Sequence, residues 1–132
     1  MRRLSLTFCL LPLLAIVIPS TSRAAVTAAD FQLRNTGDLV ALCSTTPSDP
    51  MATAAIHFCQ GFGVGVTRVL EQTDAADRPP RPMFCLPRSL TRNQVTAEFV
   101  RWANADPSRL AMPATDGVAA FLAAQYPCAH RQ

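Results

Sequence analysis

The amino-acid sequence predicts an all-α fold: a compact four-helix domain with two intramolecular disulfides, behind a cleaved signal peptide. Three observations carry this expectation. Apolar residues recur at helical spacing in four stretches, while no run alternates with period two and no hairpin turn signal occurs. The N-terminus has the three-part form of a secretory leader. Four cysteines remain once that leader is set aside, an even count that reads as a disulfide framework in a small exported domain.

The leader opens with Met1-Arg2-Arg3, continues as an apolar run from Leu4 to Ile18 and closes on Pro19-Ser20-Thr21-Ser22-Arg23-Ala24. Small residues at Ser22 and Ala24 suit signal peptidase cutting after Ala24. A retained membrane anchor fits less well, because the run is 15 residues long and contains Pro12, whereas a bilayer span needs about 20. The division is therefore a signal peptide at 1–24 and a single domain at 25–132.

Charge follows the same division. The chain has 12 Arg, no Lys and nine carboxylates, a formal net charge of +3. Arg2, Arg3 and Arg23 belong to the leader, so the domain carries nine arginines against nine acids. The positive excess is a targeting feature, and nothing in the domain points to nucleic acid or to an anionic membrane as partner.

Each helix has its own signals. The first is expected over about 36–44, capped by Thr36, with Leu39, Leu42 and Cys43 on one face. The second begins at Asp49-Pro50, an N-cap followed by proline at the first helical position. Its stripe runs through Ala52, Ala55, Ile56, Cys59, Phe62, Gly63, Val66, Val69 and Leu70, ending near Thr73. The third starts on Thr91 and runs to about Ala105, burying Val95, Phe99, Trp102 and Ala103, with Asp106-Pro107 as its stop. Residues 108–113 read as a connector. The fourth helix runs from Pro113-Ala114 to about Tyr126, with Val118, Phe121 and Leu122 inward.

No catalytic, cofactor or metal constellation emerges. Gly61-Phe62-Gly63-Val64-Gly65 lacks the preceding strand that a nucleotide-binding loop needs. Inside a helix, Gly61 and Gly65 read instead as packing positions that let another segment approach. His57 and Cys59, two residues apart, point to opposite sides of a helix and cannot act as base and nucleophile. The gaps of 16, 26 and 43 residues between successive cysteines match no zinc knuckle. Asp38, Asp49, Asp106 and Asp116 sit at helix ends, where capping accounts for them. The stretch DAADRPPRP at 74–82 reads as an exposed loop. With its neighbours it gathers Asp77, Arg78, Arg81 and Arg88, the candidate contacts for a partner. An enzyme is the least supported function class.

Several landmarks in order resemble a known family. They are Gly37–Cys43, Phe58-Cys59-Gln60-Gly61-Phe62-Gly63-Val64-Gly65, Phe84-Cys85-Leu86-Pro87, Thr91 with Gln94, Ala103, Pro107, Leu110, Pro113-Ala114 and the closing Tyr126-Pro127-Cys128. Over about 36–128 the chain resembles the Rap/Tai immunity family of resistance-associated and type VI amidase immunity proteins. The resemblance implies a periplasmic, all-helical and often dimeric toxin inhibitor that binds a type VI secretion peptidoglycan amidase and occludes its active site. It implies no catalytic residues; only the cysteine framework carries over. The arginine- and proline-rich 73–82 loop departs from the family pattern.

Four cysteines allow three pairings, and sequence cannot select one. Reach favours Cys59–Cys85 with Cys43–Cys128, because an 11-residue loop can return Cys85 to the middle of the second helix. The expected function is occlusion of an amidase by a protruding loop, first 73–82 and second 108–113. The alternative is a solitary periplasmic stress or chaperone-like protein with exposed apolar surface.

Overall fold

In a computed structural model, residues 24–76 and 82–128 are described. A short 3-10 turn at Asp30–Gln32 leads into five α-helices: α1 (Thr36–Cys43), α2 (Ala52–Ala76), α3 (Arg92–Asn104), α4 (Pro107–Ala111) and α5 (Ala114–Gln125). No strand occurs among the described residues. The predicted leader lies outside them apart from its last residue, Ala24.

The core is built on α1 and α5. Leu39, Leu42, Phe121 and Leu122 are each at most 2% exposed, and Phe99, Ala103, Ala55 and Val118 close around them. Phe121 is the hub: its ring lies 5.5 Å from Phe99, 5.8 Å from Trp102 and 5.7 Å from Tyr126, in edge-on or tilted pairs. Such arrangements suit the aromatic quadrupole and add about 0.5–1.5 kcal/mol per pair beyond area burial. α1 and α5 can approach closely because Gly117 of α5 faces Thr36 of α1. A Cβ on Gly117 would lie 2.1 Å from Thr36 Oγ1. Thr36 is fully buried, and its hydroxyl donates to the carbonyls of Met112 and Pro113 at 3.1 and 3.3 Å.

Helix starts follow capping chemistry, with three shifts from expectation, one being that α2 begins at Ala52, two residues after the predicted first helical position Pro50. Asn35, one residue before Thr36, caps α1: its Oδ1 accepts from Asp38 N–H at 3.0 Å. Thr91 and Gln94 form a reciprocal capping box on α3. Asp106-Pro107 ends α3 as predicted but also starts α4, with Asp106 accepting from Ser108 N–H at 2.9 Å and proline in the first turn. These bonds to Ser108 hold the Asp106 carboxyl below its ordinary range. The predicted connector thus contains a fifth helix, and its Arg109 stacks 4.4 Å over the Trp102 ring.

The disulfides are Cys43–Cys59 and Cys85–Cys128, correcting the Cys59–Cys85 and Cys43–Cys128 pairing expected from reach. Two local features decide it. Only residues 44–51 separate α1 from α2, so α2 turns straight back along α1 and brings Cys59 to the end of that helix. The segment after 82 does not return to the middle of α2; it docks on the end of α5. There Phe84 is 5% exposed and Cys85 N–H donates to the Tyr126 carbonyl at 2.7 Å, which sets Cys85 beside Cys128.

Candidate functional site

At 25 residues α2 is nearly twice as long as any other helix, about 37 Å at 1.5 Å per residue. It packs on α1 and α5, but its last turns extend past them. Arg68, Val69, Glu71, Gln72 and Thr73 are exposed, Val69 by 61%, so Val69 leaves the buried stripe predicted for it. The helix also continues to Ala76, a turn beyond the expected end. Asp74 pins the returning chain, its Oδ2 accepting from Met83 N–H at 2.8 Å. Both flanks of the 77–81 segment are therefore held at the projecting tip. Asp77, Arg78 and Arg81 lie outside the described residues. Arg88 is exposed on the turn Pro87–Leu90 that precedes α3.

A groove separates α2 from α3. Its cavity of about 260 Å³ has a floor of Leu39, Phe99, Val118, Phe121 and Leu122, with the Cys43–Cys59 bridge at its base. Gly63, Val64 and Thr67 form one wall, Val95 and Thr96 the other. Gln60 bonds Asn93 across the gap at 2.8 Å. The rim carries Arg92 and an Arg68–Glu71 ion pair of 2.7 Å. Exposed pairs of this kind contribute little stability, so the rim is free to exchange partners. Chemically the groove can take an apolar side chain edged by polar or charged groups.

The opposite face of α2 is also unfilled. Gly61 and Gly65, predicted as packing positions within the domain, are exposed, and a Cβ at either would meet nothing within 4 Å among the described residues. This corrects their expected intramolecular role. The helix buries the face through Ala55, Cys59 and Val66, and 100° per residue turns Gly61 and Gly65 away from it. Phe58 stands on the same open side at 39% exposure, touching Phe31 edge-on at 5.3 Å. Sequence reasoning gave α2 one apolar stripe. A second, through Ala54, Phe58, Gly61, Gly65 and Val69, was readable from the same spacing.

His57 is exposed, whereas Cys59 is buried and oxidised. Among the described residues no cluster of three or more His, Cys, Asp or Glu could hold a metal ion, and no helix is long and apolar enough to cross a membrane. The perturbed group nearest the disulfide-held end is Tyr126. Burial, then its hydrogen bond to the Glu98 carboxylate, pushes its phenol up to about 12. Tyr126 anchors α5 to α3 and the 82–90 segment to α5, a positioning role.

Residues 35–128 match the family model for Rap1a immunity proteins. Comparisons with curated proteins and with solved structures each gave no match. The matched span contains the whole helical body, both disulfides and the projecting end of α2, and the chain belongs to the Rap1a immunity protein family.

Proposed function

We propose that this chain is a periplasmic immunity protein, exported by the leader at 1–24, which binds a type VI secretion peptidoglycan amidase and occludes its catalytic cleft. The observation that carries this reading is the projecting end of α2, mounted on a disulfide-held body in a Rap1a family domain. Two disulfides fit an oxidising compartment. A protruding tip with pinned flanks suits insertion into a cleft, and the prolines at 79, 80 and 82 lower the entropy lost on docking. Asp77, Arg78, Arg81 and Arg88 supply polar contacts around it, and the protein acts by binding, without chemistry or cofactor of its own.

Replacing residues 74–82 by a Gly/Ser linker tests this. The reading expects amidase inhibition to fall by at least tenfold while the helical circular dichroism stays unchanged. Full inhibition by the replaced chain would assign docking to another surface, with Pro107–Ala111 and its flanks next in order.

The open α2 face favours self-association as a second activity of the same molecule. Small residues at Ala54, Gly61 and Gly65 permit close approach of a second helix, and Phe58 and Val69 offer apolar surface to bury. Sedimentation should then show a dimer that Gly65→Arg converts to monomer. Suppression of aggregation of unrelated proteins by the same surface would instead favour a solitary chaperone-like role.

A further inference from the structure

The start of the domain has a feature that the proposed inhibitory role does not use. Val26 is only 8% exposed, and its N–H donates to Asp49 Oδ2 at 2.7 Å. The other oxygen of the same carboxylate accepts from Met51 N–H at 2.8 Å. Asp49 therefore clamps the first described residues to the entry of α2. Beside it lies a cavity lined by Ala24, Ala25, Val26, Thr45, Ser48 and Asp49. Thr45 Oγ1, in that lining, is buried with no hydrogen-bond partner among the described residues. A buried hydroxyl without a partner is uncommon and marks a place for a missing donor or acceptor.

From these contacts we infer that the cavity beside Asp49 is the seat of a free α-ammonium group on Ala25. The inference rests on the reading that the leader is removed after Ala24. Hydrolysis of the Ala24–Ala25 peptide bond consumes one water, leaves a carboxylate on Ala24 and frees an amine on Ala25 that is protonated at neutral pH. Standard bond lengths put that nitrogen no more than about 6.5 Å from Asp49 Oδ2, given the 2.7 Å bond to the next amide. With the leader gone, the terminal residue can turn its three donors toward the Asp49 carboxylate and the Thr45 hydroxyl. An unprocessed chain offers only a neutral amide there. Processing thus adds an ion pair at the point where the chain enters the fold.

The titratable group lining this cavity is Asp49, from the α1–α2 connection; Asp30, on the 3-10 turn, accepts from Thr27 N–H at 2.7 Å and is not part of the lining. α1 contributes Gly37, Val40 and Ala41, and the α3–α4 side contributes Asn104 and Leu110, none of which titrates. The Asp49 charge favours the ammonium. Ala25 is exposed, so the group keeps part of its hydration and the effect is moderate.

The test compares two oxidised domains, one beginning at Ala25 and one carrying Gly-Ser ahead of it. The pH dependence of amine labelling, read by mass spectrometry, should place the Ala25 ammonium about one pH unit above the ordinary 7.7–8.0. Its pKa is raised in the folded state. The added stability is therefore complete below pH 7.7, where the melting midpoint should exceed that of the extended form by about 5 °C, and is lost as pH rises through 9. Asp49→Asn should return the amine to its ordinary range. An ordinary amine in the unmutated Ala25 form, or equal midpoints for both forms at pH 7, would overturn the seat. The mass of the protein recovered after export tests the processing position separately, and a first residue other than Ala25 would overturn that reading alone.

Discussion

Gly117 and Thr36 show how little spare volume the centre holds. A methyl on Gly117 would meet Thr36 Oγ1 at 2.1 Å and Cγ2 at 2.9 Å, and both residues sit on helix backbones that cannot easily part. Gly117→Ala should cost about 2–3 kcal/mol by overpacking. Chemical denaturation should recover much of that loss in the Thr36→Ala/Gly117→Ala double variant, giving a coupling that independent sites would lack. Tyr126 is the chain's single tyrosine, so its titration is directly visible in the absorbance of the phenolate. With its phenol pushed up to about 12 in the folded state, against about 10 unfolded, its stabilising contribution is intact below pH 10. It is lost as pH climbs from 10 to 12. Tyr126→Phe should remove that dependence and cost about 1–2 kcal/mol through the lost bond to Glu98. Single residues were legible where local chemistry decides them, as with the Thr91 cap and the Asp106-Pro107 stop; the reciprocal bond from Gln94 was added by the structure. Leu33 was not legible: it closes the 3-10 turn with a φ of 47°, a left-handed conformation that nothing in an apolar residue announces.

At the scale of elements, α2 both confirms and corrects the periodic reading. The stripe through Ala55, Cys59, Phe62, Val66 and Leu70 does face the body, because a 3.6-residue period fixes one side whatever that side meets. What the opposite side meets is not in the period, and Gly61, Gly65 and Val69 therefore changed roles. Glycine inside a helix weakens it, and a methyl at 61 or 65 has open space. Gly61→Ala and Gly65→Ala should each stabilise the monomer by about 0.5–1 kcal/mol in urea unfolding. Destabilisation by either would show that the face is already packed. The α4 turn escaped notice because five residues carry too little periodicity to register, although Asp106-Pro107 held its start signal. The groove between α2 and α3 was illegible for a related reason: it is made by what two helices fail to fill.

For the whole molecule, the two disulfides close loops of 16 and 43 residues. The chain-entropy model assigns them about 3 and 4 kcal/mol, against about 5–15 kcal/mol for a typical domain. Reduction should therefore leave the body unfolded or marginal at growth temperature. Replacing Cys85 and Cys128 by serine should lower the melting midpoint more than replacing Cys43 and Cys59; the reverse order would show that strain or packing outweighs loop length. The number of bridges was readable from cysteine parity. Their pairing was not, since it depends on where the 82–90 segment docks, and that is decided by Phe84 and the Cys85–Tyr126 backbone bond far along the chain. The family-level function was legible because its landmarks surround these same cysteines. The most direct measurement of the central claim is a calorimetric and enzymatic titration of the oxidised domain, residues 25–132, into secreted type VI peptidoglycan amidases. One of them should be bound at a simple stoichiometry and lose its hydrolytic activity in step with binding. Undiminished hydrolysis by every such amidase at saturating domain would contradict it.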